Sequence, residues 1–446
     1  MVVNQAGLAL SCESEATAGL FDDTVNAYLA FSVDTGKHVK ALLTAEPNMP
    51  MGNVLMGYFY QLMGVRKLVS RAQKSLATAQ AHAHTVTPRE RLHMDALSAW
   101  VQDDLRGATA HWEAILLEHP RDVLAAKLAH FGHFYLGDPR NIRDSIARVL
   151  PAWSEQDEVY GFVLSMYAFG LEETGNYAQA EAHGRQAIAL NRDDPWGVHA
   201  VAHVLEMQER YAEGIEWIDE LESSWGTANN FRYHLAWHRA LYYLDRDEPE
   251  RALQLYDETI WDPESREYLD LCNDVALLAR LDMLGVDTEH RWQALAEVLS
   301  QHNQVHMMNF IDAHYVLGLA MGGERAVAEA MVTALELELK QTNDPNDSYL
   351  EIAAKVGLVL SSAMTAYANA DYDAVVELIL PIRYDIQLIG GSHAQRDLFA
   401  QMLIDAAIKA KRLALARALL AERVALKPNN AWAQRQVTAV AELSQR

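Results

Sequence analysis

The feature that most constrains this 446-residue chain is a helical pattern that recurs after 34 residues. In two successive stretches a tight turn is followed by an aromatic residue and then by a small one. The turn positions Gly175 and Glu209 are 34 residues apart, and so are the small residues Ala180 and Gly214. A unit of this size is one pair of helices, which buries its apolar face only by stacking on neighbouring pairs. The pattern therefore predicts a stack of helix pairs.

Looser copies of the pattern surround the turns at 103–105, 247–249 and 370–372. Ala, Leu and Glu dominate the chain, whereas the alternation typical of strands is scarce. We therefore expect an all-α protein, an α-solenoid of tetratricopeptide-like (TPR-like) helix-turn-helix repeats curved around a central groove. We expect one solenoid over residues 1–446, with divergent N-terminal helices at 1–88, TPR-like repeats at 89–342 and C-terminal helical repeats at 343–446.

The net charge of the chain limits the classes of partner that it is expected to bind. It carries 61 acidic and 37 basic side chains, a formal net charge of −24. Nucleic acids and anionic membranes are bound through basic surfaces, so we expect neither as a partner. Two widely separated cysteines give no disulfide framework, and no apolar run has the length expected of a membrane span. We expect a cytoplasmic protein; a homodimer is compatible with such a stack, although no residue points to one.

Two histidine pairs with i,i+4 spacing lie on successive predicted helices: His199 with His203, and His234 with His238. Residues four apart share one face of an α-helix, so each pair can direct two imidazoles at one point. Glu206 follows the first pair on the same face. Imidazole and carboxylate are donors that Zn²⁺ and Fe²⁺ take in proteins, so we predict these five residues as metal ligands. The alternative is that the histidines are hydrogen-bonded packing residues.

Further candidates surround the histidines. Glu172 has the same position in the preceding repeat as Glu206 has in its own, and Trp196 and Trp237 are close to the histidines in sequence. Aromatic rings at such positions pack in a core or hold an apolar ligand in a groove. We predict Glu172, Trp196 and Trp237 as ligand-binding residues. The chain has no phosphate-binding glycine loop, no nucleophile elbow and no HExxH pattern, so the corresponding enzyme classes are not indicated.

Longer motifs resemble the tetratricopeptide repeat protein thirty-eight family. They read AFGLEETGNYAQAE (168–181), DPWGVHAVAHVLEMQ (194–208), YHLAWHRALYYL (233–244), IDAHYVLGLA (311–320) and LPIRYDIQLIGGSHAQRDLF (380–399). The resemblance extends from about residue 85 onward, and more weakly over the start. It implies an all-helical repeat fold without an established biochemical activity. Its motifs also include Asp312 with His314, and Gln395, Arg396 and Asp397 at the start of a C-terminal helix.

Two functions follow from these residues. The first is a scaffold that binds a small molecule or a peptide in a concave groove lined by His, Glu and Trp, with Gln395, Arg396 and Asp397 as further ligand-binding residues. The second is a metal-dependent enzyme with Zn or Fe as its cofactor. In that enzyme Asp312 would orient His314 or act as a general base, and Arg396 would hold an anionic group. Imidazole nitrogens within about 5 Å of a common point would favour the metal site, and separate bonds to backbone carbonyls would favour packing.

Overall fold

A computed structural model describes residues 2–84, 86–302, 307–342 and 344–445. Within these ranges the chain is almost entirely helical, and its only strands are Val2–Val3 and Ala9–Leu10, which pair antiparallel. The all-α class predicted from the sequence is confirmed. The chain forms two compact units. The predicted divisions at residues 88 and 342, and the curvature around a groove, remain predictions.

The helices follow one another with short connections. In chain order they are α1 (Glu15–Leu29), α2 (Thr35–Ala45), α3 (Pro50–Leu62), α4 (Val69–Ala81), α5 (Pro88–Trp100), α6 (Leu105–Glu118), α7 (Val123–Tyr135), α8 (Pro139–Val149), α9 (Tyr160–Glu173), α10 (Tyr177–Leu190), α11 (Pro195–Met207), α12 (Tyr211–Glu220), α13 (Glu222–Trp225), α14 (Phe231–Asp245), α15 (Pro249–Leu255), α16 (Tyr268–Met283), α17 (Glu289–Ser300), α18 (Asn309–Met321), α19 (Arg325–Gln341), α20 (Ser348–Ile352), α21 (Leu358–Ala368), α22 (Tyr372–Ile382), α23 (His393–Lys409), α24 (Leu413–Leu426) and α25 (Ala431–Leu443). Single turns of 3₁₀-helix occur at Arg66–Leu68, Leu150–Ala152 and Ile386–Ile389, and π-helical turns at Tyr256–Ile260 and Ala353–Gly357.

Most helix pairs turn through one recurring backbone motif. The first helix ends at a residue with positive φ, and the next N–H bonds to the carbonyl five residues earlier, as from Asn176 to Leu171 at 2.8 Å. This hydrogen bond satisfies a carbonyl that the end of a helix would otherwise leave open. The positive-φ residues of this motif are Phe31, Asp103, Gly137, Gly175, Glu209, Asp247, Gly285, Gly323, Ala370 and Lys411. From Asp103 to Gly323 they recur every 34 or 38 positions, which confirms the helix-turn-helix repeat.

The first unit comprises Met1–Val201, Leu221–Arg232 and Asp344–Tyr349. From α1 to α10, each of its helices packs against the next one in sequence. The second unit comprises Ala202–Glu220, Tyr233–Asn343 and Leu350–Arg446. It also stacks in sequence order from α16 onward, apart from the short α20.

The second unit closes on itself. Its helix α23 returns to α16, where the Arg280 guanidinium donates to the carbonyl of Ala394 at 2.8 Å. The connection between α24 and α25 reaches the turn that follows α14, because the Asn430 amide donates to the Asp245 carboxylate at 2.6 Å. The last helices thus contact the first ones of the same unit. This closure surrounds a group of buried polar side chains, described below.

One helical stretch, Ser348–Ala368, is long and apolar enough by composition to cross a membrane. It consists of α20, a π-helical turn and α21. The expectation that no apolar run reaches this length was therefore wrong. About half of the stretch (56 %) is buried inside the structure, and buried core helices of soluble proteins satisfy the same criterion. The predicted localisation and the predicted lack of membrane binding remain predictions.

Candidate metal centre

Three of the predicted histidines meet in the interior of the second unit. His203 lies on α11, and His234 and His238 lie one turn apart on α14. Each offers a ring nitrogen within 4.8 Å of those of the other two. The ring centroids of His203 and His238 are 4.5 Å apart, and those of His234 and His238 are 4.8 Å apart. All three are buried. The ring nitrogens therefore converge as the sequence predicted for a metal site.

The register between α11 and α14 is fixed by a buried tyrosine. The Tyr242 hydroxyl donates to the carbonyl of Ala202 at 2.6 Å. The Tyr242 ring also packs on α12 at Gly214, where a Cβ atom would lie 2.4 Å from the ring. Only glycine allows this approach, which explains the small residue at that repeat position. This contact fixes the position of α14 relative to α11, and therefore the positions of His234 and His238 relative to His203.

Glu206 adds a carboxylate to the histidine group. Its Oε2 atom lies 3.5 Å from Nδ1 of His238, and its Oε1 atom lies 3.4 Å from Nζ of Lys427. Burial by itself would raise the pKa of Glu206, but the Lys427 ammonium and His238 outweigh burial and hold this pKa below its usual value of 4.5. The carboxylate is therefore ionised at neutral pH, the form in which it binds a metal ion.

Two of these histidines, His203 and His234, are held in the neutral form. Burial, and then the neighbouring histidines, keep the pKa values of His203 and His234 well below 6.5. Neutral imidazole is the form that ligates metals. The Nδ1 atom of His234 lies 3.1 Å from the amide nitrogen of Asn273 and 3.3 Å from its amide oxygen. A hydrogen bond between this amide and Nδ1 orients the imidazole ring, and when Nδ1 donates to the amide oxygen the arrangement is the one common behind metal-bound histidines.

His199 lies one turn before His203 on α11, in the part of the helix that belongs to the first unit. Within that unit its ring packs on three aromatic side chains, Phe169, Trp196 and Phe231, with centroid distances of 4.8 to 5.4 Å. It is buried, as is Glu172 on α9. The metal-ligand role predicted for His199 and the ligand-binding roles predicted for Glu172 and Trp196 remain predictions.

Three predicted ligand-binding residues of the second unit have local structural contacts. Trp237 is fully buried and stacks on His234, with centroids 5.4 Å apart. Gln395 forms a capping box at the start of α23, because its side chain accepts the Ser392 N–H at 2.9 Å and its own N–H bonds to the Ser392 hydroxyl. Arg396 donates to the carbonyl of Gly391. Serine at the N-cap with glutamine three residues later is the residue pattern of such a capping box. Contact with a ligand remains a prediction for all three.

The predicted pairing of Asp312 with His314 is wrong. The Nδ1 atom of His314 bonds to the carbonyl of Phe310 at 2.7 Å, and its Nε2 atom has no hydrogen-bond partner among the described residues. Side chains two positions apart on a helix do not face each other, so Asp312 cannot orient this ring. Burial lowers the pKa of His314 to about 4. A bond to a backbone carbonyl is what was expected of a histidine that serves packing, and His314 makes such a bond. The catalytic roles predicted for Asp312 and His314 remain predictions.

Asp397 belongs to a group of charged residues beside the histidines. It forms two hydrogen bonds with Arg423, at 2.5 and 2.9 Å, and the pKa of its carboxyl is lowered because this ion pair outweighs burial. With Glu206, Asp245 and Arg280 it lines a cavity of about 20 Å³. That volume holds about one water molecule. Burial raises the pKa of Asp245 to about 6.

Four residues contribute to this interior although the sequence did not predict them: Asp245, Asn273, Arg280 and Lys427. Lys427 contacts Glu206 across 221 positions of the chain. Local spacing carries no signal for such a contact. Asn273 and Arg280 lie on α16 among apolar residues. Buried polar side chains need hydrogen-bond partners, so their presence in this helix could have indicated a polar group in the interior.

Comparison with known proteins adds little to this geometry. No family model matches the chain. The chain is similar to one in the solved structure of Naa15/Naa10 bound to HypK-THB, with 14 % identity and a TM-score of 0.22 over 97 % of this chain and 82 % of that one. A likeness with so low a TM-score carries no argument. The TPR-like fold therefore rests on the repeated hairpins, and the family remains a resemblance.

Proposed function

We propose that the second unit binds one divalent transition-metal ion, zinc or iron, through His203, His234 and His238. The observation that carries this proposal is the convergence of three buried imidazoles whose nitrogens lie within 4.8 Å of one another. Packing alone gives no reason to gather three such rings at one point. A metal ion does, because it takes several imidazole nitrogens at once.

Glu206 offers a carboxylate beside the proposed donors, with its Oε2 atom 3.5 Å from Nδ1 of His238. Three histidines and one carboxylate match a four-coordinate zinc ion, and two histidines with one carboxylate match the set that binds non-haem iron. When bound, the ion would supply a concentrated positive charge among the three imidazoles and beside the Glu206 carboxylate. These four donors are at most 3 % exposed. A closed site of this kind favours a structural role, in which metal binding stabilises the fold.

Metal content tests the proposal. Untagged full-length protein, purified without chelators, is expected to carry about one zinc or iron per chain by inductively coupled plasma mass spectrometry. The double variant His203→Gln/His238→Gln should lose the metal. The matched control is His314→Gln, which changes a buried histidine outside the group and should keep it. No metal in the wild-type protein, or full occupancy in the double variant, would rule the proposal out.

A second candidate is metal-dependent hydrolysis, favoured by the cavity beside Glu206. A water molecule there would contact the carboxylates of Glu206 and Asp245, and a carboxyl with a pKa of about 6 can accept a proton near neutral pH. Asp245→Asn should then abolish hydrolysis of an activated ester while leaving metal content unchanged. Equal turnover in the variant would count against this function. The groove-binding scaffold is less favoured, because Trp196 and Trp237, predicted to line its groove, are both buried.

A further inference from the structure

The first unit contains a cavity of about 300 Å³ that is separate from the histidine group. This volume lies at the lower end of the range for small-molecule sites. Its walls come from the N-terminal segment 4–8, from α1, from the starts of α5 and α7, and from the connection 153–159. It is thus formed by five parts of one unit, and not by a gap along a single helix.

The N-terminal segment is held over this cavity by specific hydrogen bonds. The Asp22 carboxylate accepts the N–H of Gln5 at 2.9 Å and the side-chain amide of Asn4 at 3.1 Å. Arg121 donates to the carbonyl of Ala6 at 3.3 Å. These bonds fix the wall that faces α1. The cavity is therefore a defined volume with polar groups in fixed places.

The charges around the cavity are not balanced. Arg89 pairs with Asp122 at 2.5 Å, and Arg121 pairs with Asp157 at 2.6 Å. Within the described ranges no cation pairs with Asp22: it is only 8 % exposed, and its partners are the neutral groups of Asn4 and Gln5. Burial raises the pKa of Asp22 above its usual value. A buried carboxyl with neutral partners is a favourable position for a positively charged group.

The rest of the cavity wall suits an apolar body. It is formed by the side chains of Leu8, Phe21, Val25, Val123, Leu124 and Trp153. The exposed carboxylate of Glu158 also lies at this wall. An anionic ligand would meet Asp22, Asp157 and Glu158, while both arginines are already paired. A cationic ligand would meet an unpaired carboxyl and an apolar wall together.

We propose that this cavity binds a small organic amine, with its ammonium group against Asp22 and its apolar body against Phe21, Val25 and Trp153. The site lies in the first unit and does not depend on the metal proposed for the second. Its specificity would come from charge: the ammonium donates to Asp22, whereas a neutral or anionic ligand of the same shape leaves that carboxyl without a counter-charge.

Calorimetric titration of the full chain at pH 7 with three probes of similar shape tests this proposal: phenethylamine, phenethyl alcohol and 3-phenylpropionate. We expect phenethylamine to bind at least about tenfold more tightly than the other two. Asp22→Asn should reduce the affinity for the amine by about tenfold or more. Equal or tighter binding of the alcohol or the carboxylate, no binding of any probe, or unchanged amine affinity in Asp22→Asn would each overturn the proposal.

Two variants separate a lost site from a lost fold. Asp23→Asn makes the same carboxylate-to-amide change at the exposed neighbouring position of α1, which does not line the cavity, and should alter the affinity less than about twofold. Val25→Phe fills the cavity while Asp22 keeps its partners, and it should abolish amine binding in a protein whose circular dichroism is unchanged. If Asp22→Asn does not fold, Val25→Phe decides: lost binding supports the site, and retained binding overturns it.

Discussion

Each unit buries groups that can carry positive charge, and the two do so differently. In the first unit Lys127, only 2 % exposed, has its Nζ atom 4.6 to 4.8 Å from the ring centroids of Phe31, Phe131 and Trp196. The nearest opposite charge that acts on it is Asp194. In the second unit three histidines face one another beside Glu206 and Lys427.

The surroundings of Lys127 are those of a packed side chain, whereas the surroundings of the three histidines are those of a candidate metal site. Around Lys127 the aromatic faces satisfy a single ammonium, and burial lowers the pKa of Lys127 while it raises that of Asp194. That arrangement is complete within the protein. In the histidine group, several ring nitrogens are directed at one volume, which is the arrangement that binding of a metal ion requires. Both units thus bury side chains that can carry a positive charge. In the histidine group the ring nitrogens also converge on one point.

The largest expected effect is that of metal on stability. Binding of an ion at a thousand times its dissociation constant stabilises the folded state by about 4 kcal/mol. Removal of the metal with a chelator should therefore lower the melting temperature clearly, and added zinc should restore it. In His203→Gln/His238→Gln the chelator should have no effect. A chelator shift of the same size in that variant would place the metal elsewhere.

The second prediction concerns acid. The folded pKa of His314 is about 4, whereas an unfolded histidine titrates near 6.5. The unfolded state therefore takes up a proton first, and the stability due to neutral His314 is fully present above pH 6.5 and is lost as pH falls toward 4. The loss amounts to at most about 3 kcal/mol. Denaturant unfolding from pH 7 to 4 should show a shallower decline in His314→Gln; an unchanged slope would contradict the assignment.

The third prediction addresses the lysine of the first unit. Lys127→Met should destabilise the protein by about 2 to 3 kcal/mol, because Asp194 is left buried without its cation. The double variant Lys127→Met/Asp194→Asn should recover much of this loss, since asparagine can still cap the start of α11. Metal content should not change in either variant. The measurement is urea unfolding followed by circular dichroism. A double variant less stable than Lys127→Met would show that Asp194 does not depend on Lys127.

The smallest expected effect compares the hairpin turns. Gly175 has φ of 77° with open space around it, and the exposed Ala370 has φ of 57° in the corresponding turn of another repeat. The left-handed conformation costs an L-residue about 1 kcal/mol. Gly175→Ala should destabilise and Ala370→Gly should stabilise by about that amount. Thermal melts of the two variants should shift in opposite directions, and a shift in the same direction would contradict the shared turn geometry.

The fold was largely predictable because its determinants are local. Turn residues such as Gly175 and Glu209, and the small residue Gly214, recur at the period of the repeat and specify each hairpin independently. Glu209 adopts positive φ although it is not glycine. Part of that cost is offset by its side chain, which accepts hydrogen bonds from the backbone and the amide of Asn429 at 2.8 and 3.0 Å.

The sequence predicted the candidate site only where the spacing of residues along one helix determines which side chains share a face. The pair His234/His238 could be placed on one face from sequence, and the structure brings His203 to it. The contacts of Lys427 and Asn273 depend on how distant helices pack, which no local pattern encodes. The pairing of Asp312 with His314 fails on local geometry, because side chains two positions apart on a helix do not face each other.

X-ray absorption at the edge of the metal that copurifies with the protein tests the central claim most directly. We expect scattering from about three imidazole ligands, with metal–nitrogen distances near 2.0 Å. The variant His238→Gln should show a reduced imidazole contribution or no bound metal, and His314→Gln should match the wild type. A first shell without imidazole, or a wild-type spectrum retained in His238→Gln, would contradict a metal centre at the histidines of the second unit.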